Sequence, residues 1–173
     1  KTVSENIHSI AKQLEQLRGT MIMIRYYLFH NRMQASSTRE WISMITPVLK
    51  RYKAITKTIR TKQTEKKSLQ SQKKKLSFLQ PVKYYQIGQK ITTLTEDIEE
   101  LLSQKERLIC DNYFHNESEI KASEIPLKKQ KDFLGKLDLQ YEDLSIQLTE
   151  NQKLFQKIKS DVRSEKSEEL FDA

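Results

Sequence analysis

Residues 91–109 read ITTLTEDIEELLSQKERLI, and the spacing of their apolar side chains sets the class of the fold. Ile91, Leu94, Ile98, Leu101 and Leu108 fall at alternating steps of three and four, with Lys105 in the one place an apolar residue would complete. A seam with that period belongs to a helix that zips against another helix. Most residues off the seam are acidic or polar, so a single narrow stripe is what the helix has to bury.

Working outward, the rest of the chain repeats this pattern. Toward the N-terminus Val3, Ile7, Ile10, Leu14, Leu17, Met21, Ile24 and Leu28 form a second seam. Around residues 21–29 apolar groups also stand off that seam (Ile22, Met23, Tyr26, Tyr27, Phe29), so this turn is expected to be covered on more than one side. The stretch HNRMQASS then breaks the apolar pattern, and Ser37 with Glu40 has capping-box spacing, which predicts a new helix from Thr38. Thr46–Pro47 has the look of an N-cap followed by proline at the first helical position. The reading is a short helical turn over 38–46 and a long helix over 47–79, with its seam running through Val48, Tyr52, Ile55, Ile59, Leu69, Leu76 and Leu79.

Pro81 ends or bends that helix, and the acidic helix takes in Ile87 and runs to about Asn112. Gly88 inside it predicts a frayed or kinked first turn. NYFHNESEIKASE is read as a loop anchored by Phe114. Pro126 opens the last helix, where Leu127, Leu134, Tyr141, Leu148, Phe155 and Val162 recur every seven residues. Leu137, Leu144 and Ile158 take the intermediate places, and Asn151 takes another, where a polar group can fix register. The predicted fold is all-α, an elongated antiparallel helical bundle or coiled coil of three to four long helices. Its expected parts, within one elongated domain, are 1–37, 38–80, 81–125 and 126–173.

Composition agrees. Three glycines, three prolines, 36% apolar and 31% charged residues suit a few long helices better than a thick-cored globule. One cysteine, Cys110, excludes an internal disulfide and fits a reducing, cytoplasmic setting; it is expected half-buried on its helix. No apolar run approaches the roughly 20 residues that span a bilayer, and no membrane partner is expected. The chain begins on lysine and enters directly on a heptad, which points to a piece of a longer protein.

Charge is unevenly spread. Between Lys50 and Lys90 thirteen Lys and Arg stand against one acid, Glu65, whereas between Leu94 and Glu124 nine acids stand against three bases. A basic arm of this density attracts phosphate backbones without reading sequence. The alternative is that it lies against the acidic segment 96–106 of the same fold. Chemistry beyond charge is scarce. His8, His30 and His115 are one to a region, without metal-ligand spacing, and the isolated glycines make no phosphate loop. Tyr26–Tyr27 and Tyr84–Tyr85 lack the metal cluster that tyrosine attack on a phosphodiester calls for. Tyr84–Tyr85, beside Lys83 and Lys90, suits base stacking or aromatic packing at a helical corner. No enzyme and no cofactor are expected.

The run KKSLQSQKKKLSFLQPVKYYQIGQKITTLTEDIEELLSQKERLI (66–109) resembles the C-terminal helical region of MobA/MobL-type plasmid mobilisation proteins, the relaxases. That region combines a lysine-rich helix, a short break, a segment close to I-x-x-LTE-x-(I/L)-EEL-x-S-(E/Q)-K and a final coil, and residues 91–105 match the segment. The resemblance implies a role in conjugative DNA transfer, through DNA binding or contacts with relaxosome and coupling proteins. The family's nuclease domain, with its catalytic tyrosine and histidine metal cluster, has no matching position here, so no catalytic residue carries over. Candidate nucleic-acid contacts are Lys66, Lys67, Lys73, Lys74, Lys75 and Lys83, with DNA bound non-specifically. The competing expectation is a structural coiled-coil module that meets a helical protein partner or itself and no nucleic acid. A third reading makes 21–29 a docking face for a membrane or an effector.

Overall fold

The structure is a computed structural model and describes residues 2–76 and 80–172. It is an all-α bundle, with no strand among the described residues. Four helices follow in order: α1 (Val3–Lys75), α2 (Pro81–Asp111), α3 (Glu117–Ala122) and α4 (Glu124–Asp172). The expected seam position Leu79 and the expected helix end at 79 lie outside the described residues, as does the side chain of Val3.

Contacts divide the chain into two compact units, Lys1–Glu40 with Gln130–Ala173, and Trp41–Lys129. In the first, the N-terminal part of α1 packs on α4. Thr2 starts α1 with a reciprocal cap: its Oγ1 accepts from the Glu5 amide at 3.3 Å, and its amide donates to Glu5 Oε2 at 3.1 Å. Met21 and Ile24 are buried against α4, whose Leu137 is 3% exposed. Arg39 meets Asp138 while Arg18 lies over the ring of Phe155, so residue numbers fall along α1 as they rise along α4. The two are antiparallel.

The expected break at 30–37 does not occur, and α1 passes through it. Stepping on from Leu28 by three and four gives Asn31, Ala35 and Thr38, and all three are buried. The seam continues there in small and polar residues. Asn31 Nδ2 donates to the Leu137 carbonyl oxygen and to Gln140 Oε1, both at 2.9 Å, which satisfies the amide inside the contact. Ser37 and Glu40 therefore cap nothing; both sit within α1. Thr46 and Pro47 likewise lie inside the helix. Thr46 Oγ1 turns back to the Ile42 carbonyl oxygen at 2.6 Å instead of capping a new start. Proline removes one ladder donor, but the residues around it (Ile45, Val48, Leu49, Tyr52) are held in the core of the second unit.

A second correction concerns residues 21–29. Ile22, Met23, Tyr26, Tyr27 and Phe29 are exposed, not covered. One packed neighbour, α4, covers one stripe of α1 and leaves the opposite side bare. Nor does Asn151 bridge helices; its Nδ2 donates to Gln147 O at 2.9 Å within α4. The buried asparagine across the seam is Asn31.

In the second unit α2 runs back antiparallel along α1, since Lys105, Asp97 and Tyr84 meet Tyr52, Lys62 and Lys73 in turn. Pro81 stands at the start of α2, where its missing N–H does no harm. Leu94 and Ile98 are buried and Ile91, Leu101, Lys105 and Leu108 half-buried, so the predicted seam is the packed one. Residues 112–124, read as loop, contain α3. Asn116 is its N-cap, accepting from the Glu119 amide at 3.0 Å, and Glu119 Oε2 accepts from the His115 amide at 2.7 Å. Tyr113 takes φ 63 in the reversal before it. Leu49, Tyr52 and fully buried Ile120 form the core, with Phe114, Leu108 and Leu127 packed around them.

Candidate nucleic-acid interface

The lysine-rich end of α1 lies opposite the first turns of α2. Because the pairing is antiparallel, register decides what faces the lysines. Lys62 meets Asp97, at 3.3 Å, and two to three helical turns further along Lys73 has reached Tyr84 and Gly88. Of the acidic segment 96–106, Asp97 pairs with the part of α1 before Lys66, while Glu96 lines a shallow pocket with Lys73, Tyr84 and Tyr85. Among the described residues, none of Lys66, Lys67, Lys73, Lys74, Lys75 and Lys83 has a carboxylate in ion-pair range.

These six do not form one cluster. Lys73 and Lys74 line an open groove of about 820 Å³ with Gln70, Leu76, Pro81 and Tyr84. Lys66 and Lys67 precede them by seven residues, which places 66 in line with 73 and 67 in line with 74, the members of each pair about 10 Å apart along the helix axis. Lys75 and Lys83 are exposed beyond the groove lining. Lys73 is half-buried, with its Nζ 4.7 Å from the centroid of the Tyr84 ring. Gly88 lies beside it: a β-carbon there would stand 3.4 Å from Lys73 Nζ, in ordinary van der Waals contact. α2 is helical through Gly88 from Pro81 onward, so the first turn expected to fray or kink is formed.

Tyr84 and Tyr85 are 48% and 66% exposed, leaving ring surface for a second partner beside the lysines. Three lysines in the last turn of α1 also suit the negative end of the helix dipole, which explains part of their presence without any ligand.

About 30 Å along α1 from the groove, a polar latch ties α3 to α1 and α2. Tyr52 donates to Glu117 Oε1, and Lys105 Nζ reaches the same oxygen at 2.5 Å. The Lys105 hydrogen bond, with that of Tyr52, holds the Glu117 carboxyl below its ordinary value of 4.5. Burial, and then donation to Glu117, pushes the Tyr52 phenol up to about 12. Lys105, which filled an apolar place in the seam, is the cation of this latch, and Glu117 is the partner that sequence reading missed. Its signal was Asn116–x–x–Glu119, the cap that turns a supposed loop into a helix.

Other candidate chemistry is not assembled. No group of three or more His, Cys, Asp or Glu among the described residues could hold a metal. Cys110, expected half-buried, is exposed on the last turn of α2. No helix among the described residues is long and apolar enough to cross a membrane. Comparison with protein-family models, with curated proteins and with solved structures gives no match.

Proposed function

We propose that this chain is a non-catalytic helical module that holds nucleic acid by its phosphates, as the supporting region of a plasmid mobilisation protein would during conjugative transfer. One observation carries the DNA role: the six candidate lysines have no carboxylate in ion-pair range among the described residues, and Lys73 lies beside an exposed tyrosine pair. Lysines without carboxylate partners attract phosphates, and neighbouring aromatic faces accept bases of a single strand. The mobilisation context rests on the likeness of residues 91–105 alone.

Fluorescence anisotropy with labelled single- and double-stranded oligonucleotides across a salt series tests the DNA role. Binding at low salt should weaken steeply as salt rises, with a slope that shrinks by about one for each phosphate-contacting lysine removed. Absence of binding at low salt overturns it.

A second reading has its own support. The Lys62–Asp97 pair shows that basic and acidic segments do meet within the fold. On that reading the chain is a structural coiled-coil module of a larger complex, and its lysines serve solubility and the α1 terminus.

A further inference from the structure

The bare side of α1 is patterned. Ile22, Tyr26, Phe29 and Met33 follow steps of four, three and four, and they are 56%, 58%, 65% and 57% exposed. At 100° per residue their stripe is centred almost opposite the one formed by Met21, Ile24, Asn31 and Ala35, which α4 covers. The helix therefore carries two coiled-coil seams and has a partner on one. From these residues we infer that α1 pairs through the second seam with α1 of another copy of this chain, parallel and in register about a two-fold axis.

Area supports this occupant. Taking roughly 200 Å² for each such side chain when free, the four leave about 470 Å² uncovered. One side of a standard interface is about 800 Å², and a little over half of it is apolar. The stripe alone supplies that apolar part, and it matches the roughly 300–600 Å² of the largest patch on a typical monomer, which is often functional.

Charge selects the direction. With Tyr26 and Met33 at one seam position and Ile22 and Phe29 at the other, Arg18, Arg25 and Arg32 all fall on one flank at seven-residue steps, where Arg18 and Arg32 also reach the α4 rings of Phe155 and Tyr141. Met23, His30 and Ser37 fall on the other flank. Antiparallel pairing sets each flank beside its own counterpart and brings the arginines together. Parallel pairing sets them beside the partner's uncharged flank, and like-with-like layers then stack ring on ring at position 26 and position 29.

Sedimentation equilibrium of the full chain tests the pairing. The expected mass is twice the 20.5 kDa of one chain, and Phe29→Glu should weaken association by about a hundredfold or more with helical circular dichroism unchanged. Ile22→Cys in a Cys110→Ser background keeps the rest of the stripe and should form a disulfide-linked dimer with itself under mild oxidation. A monomer at every concentration, or a dimer indifferent to Phe29→Glu, overturns the inference. So does cross-linking confined to mixtures of an Ile22→Cys chain with a Met33→Cys chain, which marks antiparallel pairing. Flotation of a monomer with phosphatidylcholine–phosphatidylserine vesicles, abolished by Phe29→Glu, would assign the stripe to a membrane surface and equally overturn it.

Discussion

Asn31 Nδ2 lies 2.9 Å from the carbonyl oxygen of Leu137, a bond between a side chain of α1 and the backbone of α4 made across 106 positions of sequence. It is buried, and its second proton goes to Gln140. Replacing Asn31 by alanine should lower stability by about 1–2 kcal/mol, the usual loss for a buried bond whose acceptor stays behind. Asn31→Leu should do the opposite in a urea titration while broadening the amide spectrum, because an apolar residue there no longer fixes one register. Equal stability of all three proteins would show that the bond fixes nothing.

The latch predicts a dependence on pH at both ends of the scale. Glu117 is depressed in the folded chain, so its contribution is whole above the unfolded value and disappears as pH falls through the folded one. Tyr52 is raised to about 12, so the unfolded chain ionises first and stability declines as pH climbs from the ordinary 10.0 toward that value. Glu117→Gln should flatten the acid limb and remove about 1–2 kcal/mol at neutral pH, tempered by the partial exposure of the carboxylate. Thermal melts of both proteins from acid to alkaline buffers check the two limbs separately.

Pro47 sits within α1, and replacing it by alanine returns an amide to the helix. The gain in helix propensity is up to about 3 kcal/mol, offset by roughly 0.4–1 kcal/mol from a more flexible unfolded chain. A net rise in the urea midpoint is expected. A fall would mean that the surrounding core is shaped to the proline ring.

Charge reversal separates the two functional readings. Lys74→Glu with Lys75→Glu changes exposed residues that have no carboxylate partner among the described residues. Their adverse placement at the α1 terminus should cost less than about 1 kcal/mol each, while DNA affinity should drop and its salt slope shrink. Unfolding on reversal, with no DNA affinity to lose, would favour the purely structural module.

Heptad spacing made much of this fold readable. The seams of α2 and α4 pack as their sequences indicate, down to half-buried Lys105 standing in for an apolar residue. Where the reading failed, the cause was local polarity. Asn31, Ala35 and Thr38 hold seam positions, yet an asparagine, an alanine and a threonine do not look like core until a neighbouring helix accepts the bond of Asn31 and packs against the small side chains. Pro47 was misread for a related reason, since its penalty is local and the packing that outweighs it comes from distant residues. At the candidate interface the lysines were visible, but which of them escape the acids depends on antiparallel register, a property of two helices together. Gly88 reads as a weak point of α2, yet the helix starts at Pro81 and runs through it.

Cys110 is the chain's one thiol and stands exposed on the last turn of α2, where its carbonyl oxygen accepts from the amides of Asn112 and Tyr113. A maleimide fluorophore needs no engineered anchor and can attach to a single position. That position precedes the reversal into α3 and the latch at Glu117, so the dye's emission would report α3 leaving its berth while the long helices stay intact. The natural protein already carries the handle for watching its smallest helix come loose.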